Sequence, residues 1–178
     1  MTRKWIWTLF VVVVAALALY VTNVLATSPT TPGFSGTTLA KATFGDLDIK
    51  AHTIPADVWK AQLKTKGDSD LYVQQNTWDP GACNNTCVPS SGWHTHPGPS
   101  LVIVTQGTVT EYDGDDPTCT PHVYSASGTN SFVDIGSGAE HIIRDESGAV
   151  AKTVVVQLIP KDATRRIDVT PAPGNCPF

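Results

Sequence analysis

The sequence has 178 residues, of which 41% are hydrophobic and 16% are charged, with 14 glycines and 13 prolines spread along it. Beyond its N-terminal segment this length suits a single domain, and the many turn-forming residues favour short strands. The formal charge of -4 argues against nucleic acid as a partner, because phosphate binding needs clustered Lys and Arg, and only short clusters such as Arg165–Arg166 occur.

The first predicted element is an N-terminal apolar helix that follows two basic residues. No charged residue occurs in 5–26, and Leu9–Tyr20 is a continuous apolar run, so the segment 5–26 belongs in lipid. Two interpretations stay open: a signal peptide that is cleaved after Ala26, and an uncleaved transmembrane signal anchor. Under both, the basic end stays in the cytoplasm and the domain is exported, either secreted or held at the membrane by the helix.

A linker and a folded domain follow this helix. Residues 27–38 are rich in Ser, Thr, Pro and Gly and have no apolar period, which predicts a flexible linker. The folded domain is therefore expected to span 39–178.

Apolar and β-branched runs in this domain alternate with turn signals made of Gly, Pro and Asp. Short strands at this spacing are typical of an all-β barrel or sandwich. The segment 57–66 fits either a helix or a strand, since Val58, Trp59 and Leu63 have roughly helical spacing. The predicted strands are Phe44–Ile54, Leu71–Trp78, Ser100–Thr105, Thr108–Tyr112, Val123–Ser125, Ser131–Asp134, His141–Arg144 and Ala151–Ile159.

The chain contains four cysteines, Cys83, Cys87, Cys119 and Cys176. An exported chain meets oxidants that pair its thiols, so we expect two disulfide bonds. Three pairings are possible, and we favour Cys83 with Cys87 and Cys119 with Cys176, which would attach the C-terminal tail to the barrel. A metal site at Cys83 and Cys87 is the rival interpretation, but oxidation removes the thiolates that zinc requires.

Three histidines form the most informative pattern in the sequence. His94 and His96 lie two residues apart, and alternate side chains of an extended chain project to one face, so both imidazoles can reach one ion. A β-type run that ends at Gly107 follows them. His141 begins a later strand, directly after the glycine-containing segment 136–138.

These residues resemble the two motifs of the cupin superfamily. His94-Thr95-His96 and Gly107 keep the spacing of its first motif, and Gly138-Ala-Glu-His141 keeps the core of its second. The resemblance spans roughly 71–158. It implies a single-domain protein of the cupin type-2 kind, with a jelly-roll (double-stranded β-helix) barrel and a divalent metal bound by His94, His96 and His141.

The first motif departs from the family at one ligand, because Ser100 stands where the family has a glutamate. Three neutral imidazoles then remain, a set that suits zinc, iron, copper or nickel, with water completing the shell. Manganese is less expected, since an anionic oxygen ligand is missing.

Several other residues are candidates for the same site. Glu140 should point away from the face of His141, which it precedes, and the facing of Glu111 depends on an unknown turn register. The residues expected to line a ligand pocket are Ser100, Trp78, Trp93 and His122, of which His122 is also a weak candidate for metal ligation.

Three functions remain open on this sequence. The first is a metal-dependent enzyme of the oxygenase or isomerase type acting on a small molecule. The second is a non-catalytic module that binds a small ligand or metal, and the third is a domain with a vestigial site. The oligomeric state stays open: the resemblance makes a homodimer possible, since cupins often dimerise, but no feature of this sequence requires it.

Overall fold

The computed structural model of the protein describes residues 31–54 and 58–178. The helix predicted over 1–26 lies outside these residues. Within the described ranges, no helix is long and apolar enough to cross a membrane. The strands of these ranges, in chain order, are β1 Phe34–Phe44, β2 Asp48–His52, β3 Lys60–Lys64, β4 Ser69–Trp78, β5 His94–Thr95, β6 Ser100–Gln106, β7 Thr108–Asp113, β8 His122–Ser125, β9 Ser131–Asp134, β10 His141–Arg144, β11 Ala151–Pro160 and β12 Ile167–Asp168.

Ten of these strands form two five-stranded sheets. The first sheet has the order β1-β4-β11-β6-β9 and the second the order β12-β5-β10-β7-β8, while β2 and β3 form a separate hairpin. Every pairing is antiparallel. Strands distant in sequence are neighbours, since β11 lies between β4 and β6. The prediction of an all-β fold is confirmed.

The interior lies between the two sheets and follows the alternation of side chains along each strand. Along β11, every second residue from Ala151 to Ile159 is buried, which is the period of a strand with one face inward. Trp78 is fully buried, and its Nε1 donates to the carbonyl of Ile143, so it joins one sheet to the other. Buried aromatic residues of this kind each contribute a few kcal/mol to folding.

The prediction of a linker over 27–38 is wrong for its last five residues, 34–38. Phe34 starts β1 and lies opposite Trp78 of β4, and the two ring centroids are 5.1 Å apart. β1 is an edge strand whose side chains after Phe34 are all exposed, so it needs no apolar alternation. Its Ser, Gly and Thr residues therefore have the composition of a linker although their backbone is paired.

The structure divides one predicted strand and decides between the two alternatives for another segment. The strand predicted over 44–54 divides, because β1 ends at Phe44 and β2 begins at Asp48. The ambiguous segment 57–66 contains the strand β3, since its backbone pairs with β2 from Lys60 to Lys64. Both strands of this hairpin are exposed along their whole length.

Both favoured disulfide bonds are present in the structure. Cys83 is bonded to Cys87 and Cys119 is bonded to Cys176. Cys176 is buried in a second core cluster with Trp93, Tyr112 and Ile142. This cluster lies on the face of the second sheet that points away from the main core. The C-terminal tail is thus attached to the barrel covalently as well as by packing.

Candidate metal centre

Two adjacent strands of the second sheet bring the three predicted histidines together. His94 begins β5, His96 follows it, and His141 begins β10 directly opposite His94 in the antiparallel register. The ring centroids lie 4.3 Å apart for His94 and His141 and 4.8 Å apart for His94 and His96. One ligand nitrogen from each residue lies within 4.8 Å of the other two.

Backbone carbonyls orient two of the three rings. The Nδ1 of His94 lies 2.8 Å from the carbonyl oxygen of Gly92, and the Nδ1 of His96 lies 2.7 Å from that of Arg165. A carbonyl only accepts, so Nδ1–H donates in both residues and Nε2 keeps its lone pair. Metal-binding histidines are held in this way in proteins, because the second ring nitrogen sets tautomer and orientation.

Burial keeps the three imidazoles neutral. His94, His96 and His141 are all less than 9% exposed. Burial lowers the pKa of His94 well below its usual value, and the neighbouring histidines add to this effect. Burial also lowers the pKa of His96, and it lowers the pKa of His141 to about 4 although Asp134 opposes the shift. Neutral imidazole is the form that binds metals.

Asp134 is a residue of the site that sequence reasoning missed. Its Oδ2 lies 3.7 Å from Nε2 of His96, and its Oδ1 lies 3.7 Å from Nδ1 of His141. The side chain of Asp134 is 3% exposed. Asp134 lies two residues after the buried Phe132 on β9, so the alternation of side chains could have placed it on the inner face. Its position beside the histidines, however, depends on the pairing of β9 with β6.

The three histidines open onto a cavity of about 170 Å³ between the two sheets. Its wall combines apolar side chains with amide, hydroxyl and guanidinium groups. The side chains that form it include Phe34, Trp78, Val102, Phe132, Ile143 and Val155 on the apolar side, and Gln74, Asn76, Ser100, Gln157, Arg165 and Arg166 on the polar side. The cavity therefore suits a small molecule that is partly polar.

The predicted pocket residues do not all reach this cavity. Trp78 and Ser100 line it, as expected. Trp93 packs instead in the second core cluster, because the residue before His94 faces the opposite side of the strand. His122 is exposed on β8, where its Nε2 lies 3.5 Å from the Oδ2 of Asp113. It lies on a neighbouring cavity of about 350 Å³ that shares Asp134 and His141 with the site.

The two candidate glutamates take different positions. Glu140 is exposed, in agreement with its predicted facing. Glu111 is buried in β7 opposite Ile143, on the wall of the neighbouring cavity. Burial, together with the carboxylates of Asp113 and Asp134, raises the pKa of Glu111 to about 8. Glu111 is consequently protonated at neutral pH.

This pKa predicts how stability depends on pH. The folded chain holds the proton of Glu111 up to a pKa of about 8, compared with 4.5 for a free glutamate. The contribution of Glu111 to the free energy of unfolding should therefore fall as pH rises from 4.5 to 8, by up to about 1.4 kcal/mol per pH unit. Glu111→Gln removes this loss, so the variant's free energy of unfolding should exceed that of wild type by an amount that increases from pH 4.5 to pH 8.

Urea unfolding of the metal-free full-length chain at pH 5, 6.5 and 8 measures this difference. The exposed Glu140→Gln is the matched control and should follow the wild type. A stability difference between Glu111→Gln and wild type that stays constant with pH would contradict the prediction.

No family model matches the chain, and no curated protein matches it. Solved structures do. A cupin-2 domain protein from Rhodospirillum rubrum is 9% identical with a TM-score of 0.46, over 82% of this chain and 70% of that one. A cupin superfamily protein from Desulfitobacterium hafniense is 11% identical with a TM-score of 0.39, over 69% of this chain and 81% of that one.

The similar structures include cupin superfamily proteins. A third example is a cupin superfamily sugar phosphate isomerase from Silicibacter pomeroyi, 18% identical with a TM-score of 0.38, over 54% of this chain and 59% of that one. These three neighbours are all less than 20% identical to the chain and have TM-scores below 0.5. At such low identity they assign no activity to this chain.

Proposed function

We propose that this chain is an exported cupin-type domain that binds a divalent transition metal through His94, His96 and His141. The convergence of three buried, neutral imidazoles is the observation that carries the proposal. Two of the rings are already oriented by carbonyl groups, so little freedom is lost when an ion binds. Imidazole nitrogens suit zinc, iron, copper and nickel.

The cavity beside the histidines would hold a small substrate or ligand. A divalent ion in this position acidifies bound water or polarises a carbonyl group. Gln157 is buried and its Oε1 has no hydrogen-bond partner among the described residues, so it can accept a hydrogen bond from a hydroxyl or amine. The apolar wall around Phe132 and Val155 excludes water from the same space.

The ligand class that fits best is a small anion. Arg165 lines the cavity and is half-buried, and its side chain forms no ion pair within the described part of the chain. The neighbouring Arg166 is neutralised by Asp168, since Nε and Oδ1 lie 2.7 Å apart. A partly buried guanidinium favours a carboxylate or similar anion as its partner.

The second candidate function is a binding module without catalysis. Apart from the histidines and Asp134, the polar wall consists of amide, hydroxyl and guanidinium groups, which bind ligands but do not exchange protons near neutral pH. Turnover of a substrate is the property that separates this candidate from a metal-dependent enzyme of the oxygenase or isomerase type.

Metal loading of the full-length chain, purified in a mild detergent and stripped with a chelator, tests the proposal. Titration with zinc, iron(II), copper and nickel should give one tightly bound ion per chain for at least one of them. Cobalt-loaded protein should then change its visible absorption when acetate or malonate is added, and Arg165→Gln should weaken that response at least tenfold. Absence of stoichiometric binding by every metal would refute the metal site.

Export and assembly belong to the proposal as well. The two disulfide bonds support an oxidising compartment, because cytosolic thiols are kept reduced. Attachment to the membrane through the helix predicted over 1–26, and dimer formation, both remain predictions. Fractionation of cells that express the full chain, followed by cross-linking, measures both properties.

A further inference from the structure

The position where cupins carry a glutamate is occupied here by a residue that cannot replace it. Ser100 is buried, and its Oγ accepts a hydrogen bond from Nε2 of Gln157 at 3.1 Å. A hydroxyl held in this way offers no negative charge to an ion. If the site proposed above also has an anionic protein ligand, that ligand comes from a residue other than Ser100.

The register of the first sheet places a carboxylate beside that position. Ser100 of β6 and Asp134 of β9 are direct partners in the antiparallel pairing. Both side chains are buried on the inner face, and cross-strand partners of this kind have Cβ atoms about 4.5–5.5 Å apart. A carboxylate at position 134 can therefore reach the space that a longer side chain at position 100 would enter.

One oxygen of this carboxylate is unsatisfied. The Oδ1 of Asp134 accepts a hydrogen bond from the backbone N–H of Gly136 at 2.8 Å. The Oδ2 is buried and has no hydrogen-bond partner among the described residues. A buried carboxylate oxygen without a partner is unfavourable, so a cation at this place would remove a penalty.

The same oxygen faces the nitrogen that is free to bind metal. The Oδ2 of Asp134 lies 3.7 Å from Nε2 of His96, whose Nδ1 already donates to a carbonyl. The distance from Oδ1 to Nδ1 of His141 is also 3.7 Å, which is too long for a hydrogen bond that would merely orient the ring. The geometry therefore favours a ligand over a positioning residue.

We infer that Asp134 is the fourth protein ligand of the metal and replaces the glutamate of the family from the neighbouring strand. The inference rests on the proposed metal site and deepens it. The donor set becomes three imidazole nitrogens and one carboxylate oxygen. Because a carboxylate suits harder ions, manganese(II) joins the metals that the site accepts.

The test measures manganese(II) binding by three full-length proteins, which are the wild type, Asp134→Asn and the double variant Ser100→Glu/Asp134→Asn. Binding is followed by calorimetry and by the electron paramagnetic resonance signal of bound manganese. The asparagine should weaken binding at least about 100-fold, since loss of groups that only support ligands already costs 10–100-fold. The added glutamate should restore binding to within about tenfold, because its carboxylate enters from the position directly opposite.

Asp145→Asn is the matched control. Asp145 is also buried, and its Oδ2 likewise has no partner among the described residues. Its Oδ1 accepts a hydrogen bond from the backbone N–H of Ser147. Asp145 is not one of the residues that line the histidine cavity. This variant should bind manganese as the wild type does. It thus separates the loss of a ligand from the general effect of removing a buried carboxylate.

Each remaining outcome has a distinct meaning. If wild type binds manganese and Asp134→Asn binds it equally well, Asp134 is not a ligand and the three-histidine site stands. If the asparagine weakens binding and the glutamate does not restore it, Asp134 only supports the site and the inference is wrong. If wild type binds no metal of any kind, both the proposed function and this inference fail.

Discussion

Alanine in place of His94 is expected to abolish tight metal binding while the barrel stays folded. His94 is the central histidine of the proposed site, because its ring lies closer to both His96 and His141 than those two lie to each other. Its loss removes one of three neutral nitrogen donors, and the two remaining imidazoles, with the carboxylate inferred at Asp134, hold an ion less tightly than the full set. We expect affinity for zinc to fall by more than about 100-fold, beyond the effect of losing a supporting group.

Isothermal titration of metal-free full-length protein measures this loss, and circular dichroism checks that the strands remain. His122→Ala is the matched control, since His122 is a histidine of the same domain that is exposed and lies outside the three-histidine cluster. Its affinity should equal that of wild type. Tight zinc binding by His94→Ala would remove His94 from the ligand set.

Loss of the Cys119–Cys176 bond has the largest expected effect on stability. Its two cysteines are separated by 57 residues, so in the unfolded chain the bond closes a long loop. The entropy of that closure corresponds to about 4 kcal/mol of unfolding free energy. The double variant Cys119→Ala/Cys176→Ala also frees the C-terminal tail, which packs in the second core cluster through Cys176.

The Cys83–Cys87 bond supplies an internal comparison. Its cysteines are separated by only 4 residues, so the same relation gives about 2 kcal/mol for Cys83→Ala/Cys87→Ala. Urea unfolding of the two double variants and the wild type, all without metal, measures the difference. Equal losses for the two variants would show that loop length does not determine how these bonds stabilise the fold.

The three-histidine cluster could be predicted because its evidence is local. His94 and His96 share a face in any extended segment, and the motif around His141 has a recognisable spacing. The strands from 69 onward, except the two-residue strands β5 and β12, were predictable for the same reason, since alternation and turn residues act over a few positions. Even Glu140 was placed on the correct side by parity alone.

The edge of the first sheet could not be predicted in this way. β1 consists largely of small polar residues and is exposed along nearly its whole length, so no apolar pattern distinguishes it from a linker. Its backbone hydrogen bonds to β4 decide that it is a strand. The segment 57–66 was ambiguous for a similar reason, because β3 has no buried face.

The amino-acid sequence by itself determined that this protein is an all-β domain with a three-histidine constellation, because strand period and ligand spacing are properties of neighbouring residues. Only the tertiary structure decided what surrounds those histidines. Asp134 lies beside them because β9 pairs with β6 in the register that sets it opposite Ser100. The burial that keeps the imidazoles neutral likewise arises only when the two sheets close over them.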